Sequence, residues 1–194
     1  VGNLTKAKLN QFQGLSTNPG DFEPNIREEQ YFTIRYQNKS DGAIFDIGVD
    51  ERTFEQISTT SFAPIYESFF GNNGNSIVVR YADNEIISTF LGDIVPPERG
   101  ETEEDTVNGY IDGEFLVPNI PFVSVDPTGK GLLYFEKLRN GSRGFIYDFA
   151  TKNSRTVFES AFWEWLPQFN GPEVFTLTTR ASGLTNGYSY RYDA

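Results

Sequence analysis

Short apolar runs alternate with polar turns along this chain, and one such run recurs four times. The copies are Tyr31-Phe32-Thr33-Ile34-Arg35-Tyr36, Ser76-Ile77-Val78-Val79-Arg80-Tyr81, Gly131-Leu132-Leu133-Tyr134-Phe135-Glu136 and Glu173-Val174-Phe175-Thr176-Leu177-Thr178. Each is a short strand followed by a polar turn. Anchored on Phe32, Ile77, Leu132 and Val174, the steps are 45, 55 and 42 residues. A strand-only period of roughly 40 to 50 residues points to the blades of a β-propeller. The expected fold is all-β: a β-propeller or partial propeller built of about four antiparallel meander blades.

The first unit shows the plan. Phe32, Ile34 and Tyr36 alternate with Thr33 and Arg35, the period-two signature of a strand. Asn38 to Gly42 is a turn, Ala43 to Val49 returns, and Thr53 to Ser58 runs out again. That is a meander. The second unit runs from Ile65 to Leu91 around Gly71-Asn72-Asn73-Gly74-Asn75. The third runs from Pro121 to Ser160 around Asp126-Pro127-Thr128-Gly129-Lys130. The fourth opens on Phe162-Trp163-Glu164-Trp165-Leu166 and closes on the strand Tyr188 to Asp193. Residues 1–30 are a partly irregular lead-in with one strand near Leu9 to Phe12, and 31–194 hold the blades. An acidic loop at 96–109 lengthens the third interval and is expected to be a mobile surface loop. Gly109 to Ile120 then re-enters the fold.

Composition narrows the function. Aromatic residues make up 15% of the chain, and 18 Gly with 10 Pro supply its turns. The formal net charge is -11 and the pI about 4.5. That charge repels phosphate backbones, so no nucleic-acid partner is expected. The chain has no Cys and no His. Disulfides, thiol nucleophiles, Ser-His-Asp catalysis and imidazole metal ligands are therefore absent from it. No apolar run approaches the roughly 18 residues of a membrane span. The chain starts at Val1 and contains no Met, so it is expected to be processed or excised from something longer, and a leader or anchor could have preceded it. Its acidic surface, rich in Tyr, Asn, Thr and Ser, leans towards an extracytoplasmic life: cell surface, periplasm or secretion.

The word order of turn, apolar strand, polar turn and aromatic strand ending in Tyr-Asp resembles the TolB-like β-propeller repeat. Asp126-Pro127-Thr128-Gly129-Lys130-Gly131-Leu132-Leu133-Tyr134 and Gly144-Phe145-Ile146-Tyr147-Asp148 carry it best. Gly71 to Val79 is a variant with Asn in place of Asp-Pro, and Asn170-Gly171-Pro172 is a shortened one. The resemblance covers residues 31 to 194. It is also similar to uncharacterised bacterial proteins in which such repeats follow an N-terminal membrane anchor. It implies the fold and is nearly silent on function, since propellers host many activities. Four units either close as a small propeller or form an arc of a larger one. An arc leaves its two end faces open, and an oligomer or further blades would have to cover them.

Candidate chemistry is sparse. Glu101, Glu103, Glu104 and Asp105 lack the spacing of a calcium loop and read as a solvated run. Asp46, Asp50 and Glu51 beside Gly48 offer a strand-turn calcium site, since alternation puts Asp46 and Asp50 on one face, but Asp50 reads first as a turn residue. Trp163, Glu164 and Trp165 are the best ligand-binding candidates, with rings to stack on a sugar face and an acid to bond hydroxyls. Strand alternation puts Trp163 and Trp165 on one face with Glu164 opposite, which equally suits packing between blades. Arg35-Tyr36, Arg80-Tyr81 and Arg191-Tyr192 recur at strand ends, where they suit bridging of neighbouring blades. No catalytic residue, metal site or cofactor is nominated. The expected function is a non-catalytic scaffold or recognition domain that binds a protein or glycan through blade loops. The rivals are a glycoside hydrolase or lyase with carboxylates near a channel, and an accessory propeller of a larger peptidase.

Overall fold

The computed structural model describes residues 3–12, 26–48, 54–62, 64–98, 100, 107–180 and 186–193. Four small antiparallel sheets follow one another along the chain. The first holds β1 (Asn3–Phe12), β2 (Ile26–Gln37), β3 (Ile44–Gly48) and β4 (Phe54–Ser58). The second holds β5 (Ile65–Gly71), β6 (Ser76–Asp83), β7 (Ile86–Val95) and β8 (Tyr110–Phe115). The third holds β9 (Val123–Val125), β10 (Gly131–Leu138), β11 (Gly141–Asp148) and β12 (Asn153–Ser160). The fourth holds β13 (Trp165–Gly171), β14 (Val174–Thr179) and β15 (Ser189–Asp193). Within each sheet every strand pairs with its neighbour in sequence, so each sheet is a meander.

The four recurring runs fall on β2, β6, β10 and β14, the second strand of every sheet. A second strand is hydrogen-bonded on both edges, which makes it the natural place for the most apolar sequence. Ile77, Val78, Val79, Leu132 and Leu133 are fully buried. The turns between strands behave as their residues dictate. Asp126 accepts the N–H of Thr128 at 2.9 Å and its hydroxyl at 2.7 Å, and Gly129 takes a φ of +70°. The Gly129 carbonyl in turn accepts the N–H of Asn72 at 2.5 Å, so the turn of the third sheet docks on the turn of the second.

Two boundaries depart from the pattern read in the sequence. β1 spans Asn3–Phe12 and pairs with β2 from Asn3↔Arg35 to Phe12↔Ile26. The polar residues of the lead-in hide this strand, because backbone pairing rather than an apolar stripe defines it. In the fourth unit the strand begins at Trp165, not at Phe162, and continues through Pro167 to Gly171. Pro is tolerated there because β13 is an edge strand. The acidic residues Glu101, Glu103, Glu104 and Asp105, and likewise Asp50 and Glu51, lie outside the described residues. Glu98 and Val107, which flank the acidic stretch, form an isolated bridge with bonds of 3.0 and 2.9 Å.

The sheets stack face to face, and each junction has its own core. Ile44 and Ile57 of the first sheet pack on Ile77, Val79, Phe90 and Ile111 of the second. Val78 and Leu91 of the second pack on Leu132, Tyr134 and Tyr147 of the third. Leu133, Phe135 and Ile146 of the third pack on Trp165, Phe175 and Leu177 of the fourth. Among the described residues no such core joins the first sheet to the fourth. Two arginines reinforce the junctions. Arg35 clamps Asp46 with two bonds of 2.7 Å and donates to the Gly74 carbonyl of the next sheet at 2.6 Å. Arg80 pairs with Glu67 at 2.6 Å and donates to the Ile120 carbonyl, just ahead of the third sheet, at 2.5 Å. Arg191 lies on β15, a third strand rather than a second, and reaches only Asp193 on the same strand.

Candidate functional site

An open hollow of ≈ 440 Å³ lies at one end of the third and fourth sheets. Three segments build it. The first is the hairpin tip between β10 and β11. Leu138 pairs with Gly141 there, which leaves Arg139 and Asn140 as a two-residue turn. Gly141 has a φ of +142°, and a Cβ on it would stand 1.9 Å from the Ser160 carbonyl oxygen. Glycine at this position lets the end of β12 close against the hairpin. Lys137, Leu138 and Arg139 face the hollow from this tip.

The second segment joins β12 to β13. The Ser160 hydroxyl accepts the N–H of Phe162 at 3.0 Å, and the Ser142 hydroxyl donates to the Phe162 carbonyl at 2.7 Å. With both backbone groups tied to neighbouring strand ends, residues 161–164 cannot enter the sheet. They cross its rim instead and present Phe162, Trp163 and Glu164 to the hollow. Trp163 is 56% exposed. The third segment is the end of β14, where the Thr179 hydroxyl accepts the N–H of Tyr188 at 2.8 Å. Arg180 follows, with its guanidinium 5.6 Å above the ring of Phe122.

The sequence placed Trp163 and Trp165 on one strand face. The structure corrects this, because the strand starts only at Trp165. Trp163 and Glu164 come together at the hollow, and Trp165 does not join them. It is 2% exposed and packs edge-on against Phe158 at 5.0 Å and Phe162 at 6.0 Å. Trp165 thus supports the hollow from below through Phe162. Sequence reasoning missed Lys137, Arg139 and Arg180 as members of this group. A signal was present: Lys137-Leu138-Arg139 puts two cations and an apolar side chain at a hairpin tip.

A smaller hollow of ≈ 290 Å³ between the second and third sheets gathers Asp93, Asp112 and Glu114 near Tyr147. Burial pushes the Asp93 carboxyl up, but its bonds to Lys152 at 2.6 Å and Ser76 at 2.7 Å prevail and hold it below the usual carboxylate range. The same bond holds Lys152 above the usual lysine range. Asp93 is therefore a fixed carboxylate that ties two sheets together, the wrong protonation state for a general acid at neutral pH. Burial, then the charges of Glu114 and Asp93, pushes the Tyr147 phenol up. These three carboxylates do not form a group that could hold a metal ion, nor do any others among the described residues, and no helix there is long and apolar enough to cross a membrane.

Neither a family model nor a curated protein matches the chain. Among solved structures, TolB from Acinetobacter baumannii is a remote structural relative, with a TM-score of 0.44 and 14% identity over 83% of this chain. The chain spans 38% of the length of that TolB chain.

Proposed function

We propose that this chain is a non-catalytic recognition domain, an arc of propeller-type blades over 31–194 whose first sheet is completed by β1 and the start of β2 from the lead-in at 1–30. It works outside the cytoplasm and binds a protein or glycan through loops at the blade ends. The observation that carries this reading is the exposure of Trp163 beside Glu164 in an open hollow. Both residues ride on a segment pinned at Phe162 and braced by the buried Trp165. A large ring on a pinned backbone segment has only its two side-chain torsions to fix on binding, which is why such rings anchor recognition sites. The acidic, turn-rich sequence supports the extracytoplasmic placement. The absence of His and Cys removes the commonest catalytic groups and leaves recognition as the simpler use of the hollow.

The test is to probe a glycan array and a peptide array with the labelled domain, then titrate the best ligand into the Trp163→Ala variant. Affinity should fall by at least about tenfold, with the melting temperature unchanged because the ring is mostly in water. Undiminished binding by Trp163→Ala would remove the hollow from the reading.

A further inference from the structure

The hollow has an electrostatic character opposite to that of the chain. Eleven Lys and Arg side chains are described. Arg35, Arg80, Arg143, Lys152 and Arg191 are spent in ion pairs. Lys39, Lys130, Lys137, Arg139, Arg155 and Arg180 are in none among the described residues. Lys137, Arg139 and Arg180 all line this one hollow, from two different sheets, against the single acid Glu164. In a chain of net charge -11, three unpaired cations around an exposed indole form a local positive patch. The Arg180 guanidinium lies 5.6 Å above the Phe122 ring, and no described carboxylate pairs with it.

We infer that the ligand of this hollow is a sugar bearing a carboxylate, a hexuronate unit within a glycan. This rests on the recognition reading above and narrows it. The three cations meet the carboxylate, the Trp163 ring stacks on the C–H face of the pyranose, and Glu164 accepts hydrogen bonds from ring hydroxyls. A neutral sugar would leave the three cations unanswered. An acidic peptide would answer them, but it offers Glu164 no pattern of ring hydroxyls and Trp163 no C–H face of a pyranose to stack on. Charge-assisted bonds from guanidinium and ammonium to carboxylate are the strong class of hydrogen bond, so the cations should dominate affinity.

The experiment is calorimetric titration of the whole domain with oligogalacturonate, with the neutral oligogalactose of equal length and with an oligoglutamate peptide, at low and high salt. Oligogalacturonate should bind at least about tenfold tighter than oligogalactose, and the margin should shrink as salt rises. Arg139→Ala and Arg180→Ala should each remove most of that margin. Arg155→Ala, an unpaired cation at a different hollow, should not. Equal binding of the acidic and neutral sugars would overturn the inference and leave the recognition reading standing. Tighter binding of oligoglutamate would overturn the inference in favour of a peptide ligand. No binding of any probe, together with blank arrays, would overturn both.

Discussion

The first and the fourth of the four sheets turn opposite kinds of face outward. On the outer side of the first sheet lie Ile34, Tyr36, Phe45, Ile47 and Phe54, with the rings of Tyr36, Phe45 and Phe54 stacked in a ladder at 5.4 and 4.9 Å. On the outer side of the fourth sheet lie Gln168, Thr176, Thr178, Ser189 and Arg191, with Leu166 and Val174 half-buried among them, joined in part by a Thr178–Ser189 hydrogen bond at 3.2 Å. The first face has the chemistry of a sheet junction. Its Tyr36–Phe45 stack repeats the Tyr134–Phe145 stack, at 5.3 Å, which in the third sheet packs into the core shared with the second. The fourth face is mostly polar and carries no aromatic ladder, the chemistry of a surface that faces water more than a sheet. The same meander thus serves as an interior or a terminal element according to which side chains alternate along it.

The largest test of that contrast lies within one strand. Phe175 and Thr176 are neighbours on β14, the first buried against Tyr192 and Phe169, the second on the outer face. Phe175→Ala should destabilise the domain by about 3–5 kcal/mol. Thr176→Ala should change stability by no more than about 0.5 kcal/mol. Guanidinium unfolding of both variants measures the difference. A Thr176→Ala cost comparable to that of Phe175→Ala would mean the outer face is covered and the contrast is wrong.

A smaller effect is expected from the repeated Arg-Tyr word. Arg80 is 1% exposed and holds Glu67 together with the carbonyls of Ile120 and Pro121. Arg80→Ala leaves those acceptors unanswered at a sheet junction and should cost about 3 kcal/mol. Arg191, exposed and paired only with Asp193, should cost within about 0.5 kcal/mol on the same change. Equal losses in thermal unfolding of the two variants would show that Arg191 also serves a junction.

Much of this architecture was legible in the sequence, and the reasons differ by residue. The four second strands announced themselves because Phe32, Ile77, Leu132 and Val174 start apolar runs at a near-constant step. The difference between the two middle sheets and the fourth also has its pattern in the chain. Ile77-Val78-Val79 and Leu132-Leu133-Tyr134-Phe135 are continuous because β6 and β10 are buried on both faces, whereas Phe175-Thr176-Leu177-Thr178 alternates because β14 is buried on one. β1 was half-hidden, since polar residues pair by backbone as well as apolar ones. The bridging role expected for the Arg-Tyr words held for Arg35 and Arg80 and not for Arg191, whose strand occupies a different place in its sheet. Trp163 and Trp165 could not be separated by alternation alone. The hydrogen bonds of Ser142 and Ser160 that end the strand pattern at Phe162 come from residues about 20 and 2 positions away. The cations of the hollow come from two sheets, and their meeting depends on stacking that no local pattern encodes.

The smallest expected effect on stability belongs to Phe54, and it reads the apolar end directly. Phe54 is 62% exposed, so its chief folded-state contact is the stack on Phe45. Replacing it by Ser should cost about 1 kcal/mol, the size of one aromatic pair at a partly wet site. The surface readout should move much more than the stability. An apolar fluorescent dye binds exposed contiguous apolar surface, and Phe54→Ser breaks the ladder at its most accessible ring. Dye fluorescence at neutral pH should fall clearly for Phe54→Ser in the folded range. The mirror-image change, Thr178→Phe on the fourth sheet, should raise it. If Phe54→Ser leaves dye binding unchanged while Thr178→Phe raises it, the assay is sensitive and the first face is already covered in solution. The difference between the two ends would then lie in what covers them rather than in what they expose.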